Sequence, residues 1–147
     1  MINKFDGDFR FLSNFYSLSL KITDDMGIVY PTIEHYFQAQ KTIDEQERIK
    51  IAFIPKDQPG KAKRQGRKLK LRNDWEEVKI DIMEQGLRQK FSVGYLKVRL
   101  NLTKQHKLIE GNYWHDNFWG ICSCPKCKNI PSHNWLGKLL MKIRDEI

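Results

Sequence analysis

YPTIEHYFQAQK, Tyr30 to Lys41, is the stretch from which the rest of the chain is read. Pro31 suits the opening position of a helix, where the missing N–H costs nothing and the fixed φ is already helical. Ile33, Tyr36 and Phe37 recur at i, i+3 and i+4, so one face of the expected helix is apolar and packs inward. Glu34 lies beside that stripe, near the positive end of the helix dipole, where an ionised carboxylate is favoured. A charged acid at the edge of an aromatic surface suits chemistry in which positive charge develops. The plainer alternative is an exposed first-turn glutamate that only complements the dipole. His35 reads as a packed or solvated histidine rather than a general base.

Upstream of this helix the chain reads as extended. Phe9, Phe11 and Phe15 lead into the alternating apolar pattern of Leu18 to Ile22. Asp24-Asp25-Met26-Gly27 then marks a turn before Ile28 to Tyr30, which predicts a hairpin. Downstream the pattern is mostly helical, with helices expected near residues 31–41, 45–53, 60–71, 74–90, 93–103 and 134–145. Asp74 followed by Glu77 has the form of a capping box ahead of Val78, Ile82 and Met83. Leu136, Leu139, Leu140 and Ile143 recur at core spacing, and a short strand is expected over Lys107 to Glu110. The expected fold is a helix-rich α+β single domain over residues 1–147, with a small N-terminal β-hairpin.

A chain of 147 residues can bury roughly 70% of its unfolded surface in one core. At 40% hydrophobic and 30% charged residues, the composition is that of a soluble globular protein. No apolar run approaches the ~20 residues of a membrane span, and MINKFDGDFR lacks a signal-peptide core, so a cytoplasmic location is expected. The formal net charge of +8, from 26 Lys and Arg against 18 Asp and Glu, favours anionic partners such as nucleotides, phosphosugars or nucleic acid, and also aids solubility.

Three further constellations carry candidate chemistry. GKAKRQGRKLKLR, Gly60 to Arg72, is a basic helix in which Lys63 and Arg67 project from one side, with Arg64 beside them. Arginine forks and lysine ammonium groups suit phosphate, while a solvated cationic face is the alternative. Asn112 to Gly120 holds Tyr113, Trp114, Phe118 and Trp119, with Asp116 among them. Such rings either stack on a heterocycle or plug the core, and Asp116 either does chemistry or caps a turn. CSCPKC, Cys122 to Cys127, holds three cysteines, too few for a disulfide framework. Cys122, Cys124 and Cys127 with His133 could form a Cys₃His zinc site of structural kind, although four ligands within so short a stretch make a tight loop; free thiols are the alternative.

Taken together, FRFLSNFY (Phe9 to Tyr16), YPTIEHYFQAQK, PGKAKRQGR (Pro59 to Arg67), LRNDW (Leu71 to Trp75), DNFWG (Asp116 to Gly120) and NWLGKLLMKIR (Asn134 to Arg144) resemble the NADAR superfamily, whose best-known members are YbiA-like N-glycosidases. The resemblance spans nearly the whole chain. It implies a compact α+β domain that recognises nucleotide or ADP-ribose-like ligands and hydrolyses an N-glycosidic bond. Substrates of the family are phosphoribosylamino-pyrimidine intermediates of riboflavin synthesis, or ADP-ribosylated guanine in DNA. The family's acid falls on Glu34, its tryptophan after the basic helix on Trp75, and the acid and tryptophan of its D-x-x-W-G segment on Asp116 and Trp119. CSCPKCKNIPSH departs from the Gly-rich turn of many relatives.

The mechanism expected from these residues places Glu34 and Asp116 about a ribosyl C1′. There a carboxylate stabilises an oxocarbenium-like state or activates water. Trp75 or Trp119 would stack on the heterocycle, Lys63, Arg64 or Arg67 would hold phosphate, and Arg10 or Asn14 would position the ribose. No cofactor is needed for this chemistry. The rival reading is a non-catalytic module that binds ADP-ribose or nucleic acid. The oligomeric state is left open by the sequence.

Overall fold

A computed structural model describes residues 1–19, 21–92 and 94–147. Leu20, inside the expected N-terminal apolar pattern, and Val93, at the expected start of the fifth helix, lie outside the described residues. The chain's contacts gather into two units, Asn14–Val93 and Met1–Ser13 with Gly94–Ile147.

In the first unit, Asp24 makes the hairpin turn. Its Oδ1 accepts the N–H groups of Met26 and Ile28 at 2.9 and 3.0 Å, and Gly27 supplies the left-handed φ of 79° that the turn requires. Strands β1 (Ile22–Thr23) and β2 (Val29–Tyr30) therefore pair antiparallel, Ile22 opposite Tyr30. Helix α1 (Ile33–Ala39) follows, wrapped by α2 (Glu45–Ala52), α3 (Pro59–Arg67) and α4 (Trp75–Lys90). This wrapping buries every side chain of α1, not only the apolar stripe. The helix begins later than the sequence suggested. Thr32 is the N-cap, its Oγ1 accepting the His35 N–H at 3.0 Å, and Pro31 lies just outside. The capping box expected at Asp74 does not form, because Arg72 draws off its carboxylate at 2.6 Å.

Two glycines set how closely α1 is approached. A β-carbon on Gly66 of α3 would collide with the Gln38 side chain, and one on Gly86 of α4 with the Tyr36 ring. Arg48 is fully buried, its Nη1 on Asp24 and Asp25 at 3.2 and 2.6 Å and its Nε on the Thr42 carbonyl at 2.7 Å. Burial works to raise the Asp24 pKa, yet hydrogen bonds from Tyr30, Gln40, Ile28 and Met26 outweigh it and hold the carboxyl below its ordinary value.

In the second unit, residues Gly7–Leu12 form a 3₁₀ helix where an extended segment was expected. Phe11 and Leu12 are its buried residues, and Arg99 lies 4.2 Å over the Phe11 ring. Helices α5 (Gly94–Leu102) and α6 (Trp135–Asp145) supply Leu96, Leu100, Leu136 and Leu140 to the core. The strand expected over Lys107 to Glu110 reduces to one parallel bridge between Ile2 and Leu108. Beyond it, β3 (Gly111–Asn112) pairs in parallel with β4 (Ile121–Cys122), the two enclosing the aromatic loop. Among the described residues the architecture is six α-helices with two small two-stranded sheets, the helix-rich α+β class expected.

Candidate active site

Glu34 stands in the first turn of α1 and is 7% exposed. Its backbone N–H donates to the Asn14 carbonyl at 3.0 Å, and Gln38, one turn on, donates Nε2–H to its Oε1 at 2.8 Å. Burying a carboxylate is costly unless charge and hydrogen bonds compensate it. Lys41 is the compensating charge that the sequence reading missed, and Lys63 and Arg67 stand in the same electrostatic neighbourhood. Burial lowers the Lys41 pKa first, Glu34 opposes that shift, and Arg67 and Lys63 reinforce it. The signal for Gln38 was present at i+4 from Glu34. Asn14 Oδ1 and Gln38 Oε1 are buried without a hydrogen-bond partner among the described residues. These are the kind of polar atoms a ligand satisfies.

The remaining candidates of this unit divide. Lys63 is half-buried, while Arg64 and Arg67 are exposed. Trp75 is 6% exposed, its ring 5.1 Å from that of Phe37. Core packing thus takes most of the surface that stacking on a heterocycle would use. His35 is fully buried. Its Nε2 faces the Ile54 carbonyl at 3.0 Å, an acceptor only, so Nε2 carries the proton and Nδ1 accepts from the Thr32 hydroxyl at 2.7 Å. Burial lowers the His35 pKa, outweighing the Ile54 and Pro55 carbonyls. The histidine is a structural tie.

Asp116 belongs to the other unit. Its Oδ1 accepts the N–H groups of Phe118 and Trp119 at 3.1 and 2.9 Å, and its own N–H donates to Asn112 Oδ1 at 3.2 Å. The carboxylate therefore caps the aromatic turn, and it also lines a cavity of about 610 Å³ with His115, Phe118, Lys126 and His133. Trp119 is half-buried, its ring edge-on to Phe118 at 4.9 Å. Arg10, on the 3₁₀ helix, is exposed.

The cysteine loop corrects one expected ligand. Cys122, Cys124 and Cys127 do converge, but their histidine is His115, not His133. The donor atoms of these four residues lie within 4.8 Å of one another, a set that can hold a metal ion. His133 instead packs its ring 6.2 Å from Phe118. The spacing within CSCPKC pointed forward along the chain, whereas the parallel pairing of β3 and β4 brings in a histidine from the preceding segment.

The family model of the NADAR domain matches residues 3–147. The chain is 40% identical to the N-glycosidase YbiA of Shigella flexneri serotype 5b over 96% of its own length and 81% of the relative's. It is 34% identical to the chloroplastic riboflavin biosynthesis protein PYRR of Zea mays over 95% of its own length and 23% of that protein's. The NMR structure of Escherichia coli YbiA superposes with a TM-score of 0.77 at 36% identity, covering 99% of this chain and 86% of the other. The match along nearly the whole length, in sequence and in fold, establishes that this chain belongs to the NADAR family.

Proposed function

We propose that this protein is an N-glycosidase acting on a phosphoribosyl small molecule, and that residues 1–147 work as one NADAR domain. The observation that carries the reading is the buried Glu34 carboxylate, held by Gln38 in the electrostatic company of Lys41, Lys63 and Arg67. The names of its relatives, N-glycosidases and riboflavin biosynthesis proteins, support the reaction class and the kind of substrate.

Cleavage of a glycosidic bond passes through an oxocarbenium-like state whose positive charge a carboxylate stabilises. A charge pair at ~4 Å with an effective dielectric of ~20 is worth about 4 kcal/mol. Felt only in the transition state, that is roughly a thousandfold in rate. Lys41, Lys63 and Arg67 supply positive charge near Glu34 and counter-charges for the substrate phosphate. Asn14 Oδ1, buried without a partner among the described residues, is the acceptor for a ribose hydroxyl. Trp119 is assigned the heterocycle in preference to Trp75, because its ring is less enclosed. Asp116 is the second candidate acid, on the strength of its D-x-x-W-G segment. The chemistry uses side chains and water with no cofactor, and any metal belongs to the cysteine loop as a structural element.

The test is release of reducing sugar from a phosphoribosylamino-pyrimidine by wild type, Glu34→Gln, Asp116→Asn and the double variant. Glu34→Gln is expected to lose about a thousandfold in kcat, and the double variant to lose less than the product of the two single losses. Near wild-type turnover by Glu34→Gln would refute the assignment. Binding of the substrate without release of sugar by wild type would favour the non-catalytic module, and turnover only of ADP-ribosylated DNA would move the substrate class.

A further inference from the structure

The His115 Nδ1 atom stands 3.3 Å from Cys127 Sγ, 3.3 Å from Cys124 Sγ and 3.9 Å from Cys122 Sγ. A single hydrogen bond from the histidine does not by itself account for this arrangement. One ring nitrogen carries at most one proton and can serve one sulfur at a time, yet all three sulfurs gather about it. A tetrahedral zinc ion, with Zn–S near 2.3 Å and Zn–N near 2.0 Å, sets its nitrogen ligand roughly 3.5 Å from each sulfur. The three observed separations bracket that value. The N–H of Cys124 also points at Cys122 Sγ, 3.5 Å away, and such a backbone donor stabilises a thiolate ligand. Three soft sulfurs and one imidazole form the donor set of structural zinc, whereas magnesium or calcium would want oxygen.

We propose that His115 Nδ1 and the Sγ atoms of Cys122, Cys124 and Cys127 bind one Zn²⁺ as a closed, four-coordinate clamp on the turn that carries Asp116. With all four positions filled by protein, the ion has no place for a reacting water, and its role is mechanical. His115 and Asn117 flank Asp116 directly. Asn117 Oδ1 accepts the N–H of Cys122 at 3.0 Å, while Asp116 Oδ1 holds the N–H groups of Phe118 and Trp119. The ion thus ties the chain just before Asp116 to the chain just after Trp119. It also fastens His115 at its φ of 69°, a left-handed conformation that a residue with a β-carbon otherwise avoids. The metal site stands apart from the glycosidase reading; its consequence for catalysis through Asp116 rests on that reading.

The full chain, produced with zinc in the medium and purified under reducing conditions without chelator, is expected to carry about one zinc per chain by elemental analysis. Replacement by Co²⁺ should give the thiolate-to-cobalt charge-transfer absorption of a tetrahedral site. His115→Ala and Cys127→Ser should each weaken metal binding at least about tenfold, and His133→Ala should leave content and spectrum unchanged. Because a ligand variant can fail to fold, the wild type is also stripped with a chelator. Three thiols should then become reactive, the near-ultraviolet circular dichroism should change, and added zinc should restore both. A reduced wild-type protein with three freely titrating thiols and no cobalt charge-transfer band would overturn the metal site. Zinc kept by His115→Ala and lost by His133→Ala would overturn the ligand set. Stripping that leaves both the dichroism and sugar release unchanged would overturn the clamp on Asp116 while the metal site stands.

Discussion

The hydrogen bond from Gln38 to Glu34 helps set how the carboxylate behaves, because Glu34 is buried and Gln38 lies one turn on along the same helix. A hydrogen bond to a charged group is worth about 1.5–3 kcal/mol. Gln38→Leu is therefore expected to lower kcat by roughly 10- to 100-fold, with the fold kept and the loss smaller than for Glu34→Gln. Steady-state kinetics on the three proteins check this, and a Gln38→Leu enzyme as active as wild type would count against it. His35 makes a different kind of prediction. It is buried neutral with its pKa below the ordinary value of 6.5, so below about pH 6.5 the unfolded chain binds a proton that the folded chain refuses. Its contribution to stability is full above that pH and is lost on acidification through the window below it. Urea midpoints taken between pH 8 and 5.5 should fall for wild type. In His35→Gln, a less stable protein overall, the fall should be shallower; parallel curves would refute the role given to His35.

Two of the helices around α1 carry a glycine at a point of close approach, Gly66 in α3 and Gly86 in α4. Gly66 lies against Gln38, so Gly66→Ala presses a methyl group into the residue that holds Glu34. The substitution gains about 1 kcal/mol in helix propensity and costs about 1–3 kcal/mol in overpacking. The expected outcome is a small change in thermal midpoint with a disproportionate loss of kcat, read by calorimetry and kinetics on one preparation. All six helices were expected from the sequence, α3 from its run of basic residues rather than from an apolar repeat. The missing parts depend on contacts remote in sequence. The bridge from Ile2 to Leu108 and the pairing of Gly111 with Ile121 involve too few residues to leave a period. The burial of Glu34 could not be seen because α1 is enclosed by helices remote in sequence, and His115 was passed over because its partners arrive through a parallel strand pair.

At the scale of the whole chain, the net charge of +8 is compatible with a phosphorylated metabolite and with nucleic acid alike. The two differ in how many cations they engage. Glu34, Lys63 and Arg67 all bear on the charge of Lys41, and on the proposed reading this small group meets a single phosphate. The other basic residues of α3, Lys61 and Arg64, are exposed. Counterion release scales with the number of phosphates neutralised, so six contacts to DNA cost about 10³ in affinity between 50 and 200 mM salt, while one phosphate costs at most about fivefold. The KM for a phosphoribosylamino-pyrimidine should accordingly rise by no more than about fivefold over that range, with kcat unchanged. Neutralising Lys63 by Lys63→Met should flatten the dependence further, whereas Lys61→Met on the exposed face should leave it as it is. A steep salt dependence that responds equally to both substitutions would mean that the surface charge as a whole, rather than the group around Glu34, meets the substrate, and would transfer the substrate class to a polyanion.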